Sequence, residues 1–576
     1  MASSVGAYPC FPTAKLQETY ETLSVEQKYA FSKFAQGRNV FTTGPGGTGK
    51  TRLIQFMVDY MNMHEKPHQV CAMTGCAAVL LNCKAKTIHS WSGIKLGKGP
   101  IDEIVRRVVR NRSAVKNWRS IETLIVDEVS MMSSKMFDLL DQIGRAVRKN
   151  YTKPFGGIQL VFIGDFFQLP PIADYDDPAS GEFCFQHPRW SATFKPEDCI
   201  ELKTFFRQTD PVYIGILQEI RQGRISEESI GHLEKRVLRG GERPVSKSGL
   251  MPTKLFPVRN KVDYINETMY QKLEGDERVY HVSINTKAMA RIDTGNALTY
   301  EEVERCREMT REQVENEVEA LVGSMVSDKT VRLKVGTLVM CVVNLDVDRG
   351  ICNGSQGIII DFAESNAAPA FAEEKTAPLI VPVVRFANGT VMRITPYQRQ
   401  SDDYPCIVVA QIPLCLAWSM TIHKIQGATL DMAEMDIGKS IFVEGQSYVA
   451  LSRVKTLEGL FLSEFNYSKI KSNARVVEFY KSLHQLPSEE MEAKLAEWMP
   501  RIIAPKPAAN LKQTKLVPVA SHSVASLPAA SLPVTKIRSN PFERFSAKPK
   551  DSDLTEDAYE STEPKKDPNI KTIRLA

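Results

Sequence analysis

Short apolar runs alternate along the chain with longer stretches in which apolar residues recur every three or four positions. Asn39-Val-Phe-Thr-Thr43 reads as a short buried strand, and Leu53, Ile54, Phe56, Met57 and Tyr60 after it keep helical spacing. Gln69–Met73, Thr123–Asp127 and Ile158–Ile163 predict further strands. Between the last two, Met136, Leu139, Leu140, Ile143 and Val147 mark an amphipathic helix ending in Arg148-Lys149. The paired prolines Pro170-Pro171 stop the next segment. Strands alternating with helices predict a parallel, doubly wound α/β domain that ends near Arg207.

Downstream the pattern changes twice. Leu255 to Leu273 opens a second unit, and Thr299 to Leu321 reads as one exposed acidic helix, a solvated connector. Leu333–Asp361 and Leu379–Ile412 read as short strands with turns at Asn353-Gly354 and Asn388-Gly389, which predicts a small β-barrel. Ala417–Gly427 and Gln446–Arg453 return to strand–loop–helix patterning, a second α/β core. Beyond Pro505 the chain is rich in Pro, Ala, Ser and Lys, so it is expected to be disordered. Asn540-Pro-Phe-Glu-Arg-Phe545 is its one aromatic knot, a candidate partner-binding motif. The expected organisation is an N-terminal segment 1–17, a first domain 18–210 with an insertion at 92–120, and a second domain from 211–270 and 413–500. An accessory insertion spans 271–412, and a tail follows from 501 to 576.

Composition narrows the function classes. A chain of 576 residues suggests about three or four domains. No run of about 18 apolar residues exists, so no membrane span is expected. Met1–Pro12 lacks the layout of a secretory signal and the Arg-rich pattern of a transit peptide. The eleven cysteines are scattered without a C-x-x-C pair and read as thiols in a reducing compartment. The formal net charge is +5; residues 501–550 carry +8 and 551–576 carry −3, which leaves the first 500 residues neutral. Nucleic-acid binding by the core must therefore come from local sites.

The candidate chemistry starts at Gly44-Pro45-Gly46-Gly47-Thr48-Gly49-Lys50-Thr51, a P-loop by spacing and by its strand–loop–helix context. Glycines let successive N–H groups face one anion, and the helix that starts there adds its positive end. Lys50 reaches the β- and γ-phosphates and the Thr51 hydroxyl ligates Mg²⁺. Thr123-Leu-Ile-Val-Asp127-Glu128 is a Walker B pattern, with Asp127 on Mg²⁺ through water and Glu128 polarising the attacking water. Gln168, in Gly164-Asp-Phe-Phe-Gln168-Leu-Pro-Pro171, is placed to sense the γ-phosphate. Gln27, three residues after Ser24, fits two roles equally: a capping box for its own helix, or a reader of the adenine edge. Thr74-Gly-Cys-Ala-Ala78 is a small-residue turn at a strand's C-terminal end, where parallel sheets bind ligands. His89 and Trp91 suit phosphate contact and base stacking, but taken alone a buried Trp beside a satisfied His is the favoured reading. Lys95, Lys98, Arg106, Arg107, Arg110, Arg112, Lys116 and Arg119 face only Asp102 and Glu103 in a basic insertion that leans on nucleic acid.

Taken together these segments resemble the petite integration frequency (PIF) helicases, a branch of superfamily 1 that also contains RecD-like enzymes. The resemblance runs in order from about Leu23 to Phe465. Gln27 matches the family's adenine-reading glutamine. Thr74–Ala78 and Thr87-Ile-His-Ser-Trp-Ser-Gly93 match its first DNA-contacting motifs. Val126-Asp-Glu-Val-Ser-Met131 and Gly164–Pro171 match its second and third ATPase motifs, and Phe137–Leu160, with Lys153-Pro-Phe-Gly-Gly-Ile-Gln-Leu160, resembles its signature segment. Phe205-Phe-Arg207-Gln208 fits motif four, Thr421-Ile-His-Lys-Ile-Gln-Gly-Ala-Thr-Leu430 motif five, and Gln446 to Arg453 motif six. Cys76 and Ile425 depart from the small or hydroxyl residues frequent at their positions. The resemblance implies an α/β fold of two RecA-like parallel-sheet domains, a wedge formed by the basic insertion and an SH3-like accessory barrel. It implies ATP and Mg²⁺ in the cleft, Arg207 and Arg453 as arginine fingers, and Gly427 beside the nucleotide. It further implies DNA contacts from Thr74, His89, Trp91, Thr421, His423, Lys424, Gln446, Ser447, Tyr448 and Arg453. The activity implied is ATP-dependent 5′-to-3′ DNA unwinding in genome maintenance, by a monomer acting on single-stranded DNA and duplex junctions. G-quadruplexes and RNA–DNA hybrids are candidate substrates, the tail a candidate partner site, and the nucleus is expected ahead of the mitochondrion. Two other classes compete: a DNA-binding scaffold or remodeller with a switch-like or dead ATPase, and a metabolic P-loop kinase or GTPase. Filled catalytic positions oppose the first, and the second core with its closing Arg opposes the other.

Overall fold

The computed structural model describes residues 13–498, apart from 82, 96, 175, 240–250, 293, 324, 326, 347–348, 366–378, 402 and 484–485. The expectations for the tail, its aromatic knot and the first twelve residues lie outside the described residues. Among the described residues no helix is long and apolar enough to cross a membrane.

The first domain is built on six parallel strands, β1 (Val40–Thr43), β2 (His68–Ala72), β3 (Lys86–Thr87), β4 (Thr123–Asp127), β5 (Gln159–Ile163) and β6 (Cys199–Glu201). Their order in the sheet is β3-β2-β4-β5-β1-β6. β1 and β4 are buried along their whole length, the continuous apolar pattern of strands covered on both faces. Helix α1 (Ala14–Glu21) puts Leu16 and Tyr20 into this core, so the domain begins before residue 18. Helix α2 (Val25–Ala35) and helix α3 (Lys50–Met63) cover the same face.

The predicted amphipathic helix is Ser134–Arg148, capped by the Ser133 side chain. The basic insertion forms two helices, Ile101–Arg110 and Arg112–Ser120. Ile104, Val108, Ala114 and Trp118 bury their inner face, while Arg106, Arg107, Arg110, Arg112, Lys116 and Arg119 stay exposed. The second core is a four-stranded parallel sheet in the order Ser419–Thr421, Thr253–Phe256, Ala433–Ile437, Leu460–Phe465.

The accessory region is strand-rich as expected, with antiparallel sheets of five, three and two strands and a small apolar core of its own. Two expectations are revised. The acidic helix at 299–321 is two helices, Tyr300–Arg307 and Arg311–Gly323. Thr310 starts the second with its own side-chain bond from Gln313 N–H, and that turn breaks the run. Finally, the segment 474–498, expected in the second domain, packs on the first. Met491 and Leu495 of helix Ser488–Trp498 join the α2 and α3 core, and Trp498 meets Phe31 edge-on. Each such apolar side chain, when fully buried, contributes about 1.5–3 kcal/mol.

Candidate nucleotide site and nucleic-acid face

The P-loop connects the C-terminal end of β1 to α3. Gly44, Gly47 and Gly49 take φ of 146°, 92° and 79°. A Cβ on Gly44 would lie 2.6 Å from the Leu202 carbonyl oxygen, and one on Gly49 would lie 2.5 Å from Gln27 Nε2. The loop therefore needs glycine for both conformation and space. Lys50 Nζ donates to the carbonyls of Gly44 at 2.7 Å and Pro45 at 3.0 Å, across the mouth of the loop. Burial pulls its ammonium below the usual value, and Asp165 is the strongest opposing charge. Thr51 is exposed in the first turn of α3, and Thr48 Oγ1 bonds the Pro45 carbonyl at 2.9 Å.

Asp127 and Glu128 close β4 and are both buried. Burial pushes the Asp127 carboxyl up to about 7, and Glu128 adds to the shift. A bound cation would reverse that, because it favours the ionised form. Among the described residues no group of three or more His, Cys, Asp and Glu gathers to hold a metal. Thr51 and Asp127 suit an ion that keeps waters and phosphate oxygens as its other ligands, which is how Mg²⁺ binds. Glu128 sits at φ 56° and ψ 40°, left-handed space that a non-glycine residue occupies only when its surroundings fix it there. Gln168 is 4 % exposed and its Oε1 has no hydrogen-bond partner within the protein. A buried amide oxygen in that state fits a hydrogen-bonding ligand or water.

The far wall comes from motif four and the second core. Arg207 packs its Cβ on Gly47, and its guanidinium donates to the Ser452 and Gly427 carbonyls at 3.1 and 3.3 Å. Arg453 is 2 % exposed; its Nη2 lies beside Gly46 and donates to Ser452 Oγ at 2.8 Å. Burial, followed by the neighbouring Arg453, lowers Arg207, and burial lowers Arg453. Glu128 is a negative charge that both guanidiniums feel, and a triphosphate would add a direct anionic partner for the pair.

The capping box expected at Gln27 is present. Its Oε1 accepts the Ser24 N–H at 2.9 Å, closing the capping box, and its Nε2 donates to the Gly49 carbonyl at 3.0 Å. The amide thereby ties α2 to the P-loop.

Thr74, His89 and Thr421 all follow C-terminal ends of parallel strands, on the side of the sheets where ligands bind. His423 and Lys424 are exposed, and Gly427 approaches Leu80 across the gap between the domains. Partial burial holds the His89 ring below the usual histidine value, and desolvation by its neighbours acts the same way on the His423 ring, although that residue keeps an exposed surface. Five expected DNA contacts lie elsewhere. Trp91 is 2 % exposed and packs on Trp118 at 4.8 Å, which removes it from base stacking. Gln446 and Ser447 are buried inside helix Gln446–Leu451. Tyr448 belongs to the nucleotide side, where its hydroxyl accepts the Gly46 N–H at 2.8 Å. Arg453 shares that side and is buried there.

Gln426 was not singled out from sequence. Its Nε2 donates to Glu128 Oε2 at 3.1 Å, a side-chain bond that joins motif five to the Walker acids. It lies between Lys424 and Gly427 in a motif already recognised, but only the fold brings it to β4.

The chain matches the profile of the PIF1-like helicases over residues 22–230 and that of the DNA helicase Pif1 2B domain over 318–362. The second match falls on the accessory region. The ATP-dependent DNA helicase PIF1 of Danio rerio is 33% identical over 467 residues, covering 81% of this chain and 64% of the relative. The ATP-dependent DNA helicase RRM3 of Saccharomyces cerevisiae is 32% identical over 502 residues, covering 81% of this chain and 68% of the relative. The crystal structure of Pif1 helicase from Candida albicans superposes with a TM-score of 0.58 at 30% identity, covering 80% of this chain and 98% of that one. Bacteroides Pif1 bound to single-stranded DNA superposes at 0.51 and 26% identity, covering 80% and 96%. The chain spans just under two thirds of the length of the vertebrate relatives it matches. With its motifs in order on two parallel-sheet cores, the chain belongs to the PIF1-like helicase family.

Proposed function

We propose that this chain is an ATP-dependent DNA helicase that moves 5′ to 3′ on single-stranded DNA and unwinds duplex junctions. The observation that carries this reading is the meeting of Arg453 from the second core with the P-loop of the first. Phosphoryl transfer depends on charge stabilisation more than on covalent help, and an arginine finger contributes about 10³–10⁵ in rate. A finger supplied across the cleft ties hydrolysis to domain closure. Lys50 holds the β- and γ-phosphates, Thr51 and Asp127 hold Mg²⁺, Glu128 orients the attacking water and Gln168 senses the γ-phosphate. Mg²⁺ supplies neutralisation of the phosphate charge. The strand crosses the face formed by Thr74, His89, Thr421, His423 and Lys424, with the exposed arginines of the insertion at the junction. Genome maintenance in the nucleus is the assigned duty, with the mitochondrion second; G-quadruplexes and RNA–DNA hybrids are further substrates to try.

The test is strand displacement on partial duplexes with a 5′ or a 3′ single-stranded tail, with ATP and Mg²⁺. Unwinding of the 5′-tailed duplex alone is expected, and Lys50→Ala should lower ATP turnover by at least about 10²-fold. DNA-stimulated hydrolysis with neither duplex unwound would replace the helicase by a remodeller. Turnover retained in Lys50→Ala would overturn the site assignment.

A further inference from the structure

Helix Ala474–Ser482 lies outside every recognised motif, yet it crosses from the second core's last strand into the first domain. Two neighbouring side chains make the crossing. Phe479 stacks on Phe185 with ring centres 4.3 Å apart and meets Phe166 edge-on at 5.5 Å. Tyr480 lies against Phe167 at 4.5 Å. The Tyr480 hydroxyl donates to Asp165 Oδ1 at 3.1 Å, accepts the Phe166 N–H at 3.2 Å and pairs with Thr43 Oγ1. Thr43 is the last residue of β1, directly before the P-loop. Asp165, Phe166 and Phe167 form the turn that presents Gln168. One hydroxyl thus joins the strand that ends in the P-loop to the loop that carries Gln168.

The same cluster leads to the far wall of the cleft. Arg221, in helix Pro211–Arg221, donates to both Asp165 oxygens, at 3.0 and 3.1 Å, and to Glu201 Oε1 at 2.9 Å. Its guanidinium lies 4.9 Å from the Tyr480 ring. On the same helix the Tyr213 hydroxyl donates to the Leu451 carbonyl at 2.7 Å, two residues before Arg453. Asp165 is fully buried and is fixed by Arg221 and Tyr480 together. A buried, hydrogen-bonded network of this kind specifies one geometry for the turn it holds.

We propose that Tyr480 is a positioning residue for ATP hydrolysis: its hydroxyl holds the Asp165–Gln168 turn in register with the P-loop, so that Gln168 meets the γ-phosphate when the cleft closes. The inference rests on the reading of Gln168 as the γ-phosphate sensor. Tyr480→Phe isolates the hydroxyl, because the ring and its packing remain. It leaves the Phe166 N–H without its acceptor and Asp165 with Arg221 and the Phe167 N–H.

The test uses the full chain and measures DNA-stimulated turnover against ATP concentration, thermal midpoint, and affinity for ADP and for ADP–aluminium fluoride. For Tyr480→Phe the expected result is a kcat lower by about tenfold, with KM for ATP and ADP affinity within about twofold and the transition-state mimic weakened about tenfold. Added to Gln168→Ala, the same change should lower kcat by less than about twofold, because residues acting through one another are not additive. An unchanged kcat in Tyr480→Phe beside an impaired Gln168→Ala overturns this proposal alone. So does a full extra loss in the double variant, or equal losses of ADP and mimic affinity with a lowered midpoint, which mark a merely structural role. An unimpaired Gln168→Ala overturns the sensor reading itself and, with it, the route proposed for Tyr480.

Discussion

Glu128 is fixed from two sides, by its own left-handed backbone and by the Gln426 amide on Oε2. Gln426 stands two residues after Lys424, whose exposed side chain faces the proposed DNA path. A strand that displaces this turn would release Glu128 to polarise water, which gives hydrolysis a dependence on DNA. Gln426→Ala should therefore raise ATP turnover without DNA by about three- to tenfold and shrink the stimulation by DNA. Turnover measured with and without a single strand decides this; a lower DNA-free rate would show that Gln426 orients Glu128 productively. The contrast with Lys50 explains what single residues reveal. P-loop chemistry dictates residue type and spacing locally, so Lys50, Thr51, Asp127 and Glu128 are readable from the chain. Gln426 meets Glu128 only through the packing of two distant segments. Trp91 and Tyr448 misled for the same reason, since their partners Trp118 and Gly46 lie far along the chain or in the other core.

Among elements, the signature segment has a structural explanation that its sequence hides. Asp141 in helix Ser134–Arg148 accepts the Phe155 N–H at 2.7 Å, Arg145 Nε at 2.9 Å and Arg189 Nη1 at 2.8 Å. Gly144 meets the Phe155 backbone so closely that a Cβ there would lie 2.7 Å from the Phe155 oxygen. Gly156 takes φ 67°, and a Cβ on it would lie 2.3 Å from the Gly144 oxygen. Helix and turn are thus locked backbone to backbone, away from the nucleotide. Left-handed strain alone costs a non-glycine residue about 1–2 kcal/mol, and backbone atoms cannot swing aside. Gly156→Ala should destabilise by about 2–4 kcal/mol and lower the thermal midpoint while leaving KM for ATP unchanged in the fraction that folds. A shifted KM at an unchanged midpoint would place the segment in catalysis. Apolar periodicity located this helix and the strands beside it correctly, because burial on one face writes that period into the chain. It joined the two helices at 299–323 because capping, not periodicity, separates them. It also put 474–498 with its sequence neighbours, since nothing local in Phe479, Tyr480, Met491 or Leu495 says which core will bury them.

For the molecule as a whole, charge and chemistry are set apart along the chain. Residues 1–500 sum to zero and residues 501–576 carry the entire +5. The proposed DNA face of the core would accordingly depend on a few groups, chiefly Lys424 and the exposed arginines of the insertion, in a core whose formal charges sum to zero. Each phosphate neutralised by Lys or Arg on a single strand releases counterions and steepens the salt dependence of log affinity by about 0.7 per contact. Tail cations should add such contacts without touching the ATP site, whose P-loop, Walker and arginine residues all fall between Gly44 and Arg453. Deleting 504–576 should therefore leave kcat at saturating DNA within about twofold, weaken binding at low salt and flatten its salt slope by about one unit or more. Titration of a labelled single strand at several salt concentrations, beside turnover at saturating DNA, measures both. An unchanged slope would assign binding to the core alone and leave the tail for a partner. Loss of ATP hydrolysis would mean that the tail belongs to the catalytic core, and that the division of charge along the chain is not a division of labour.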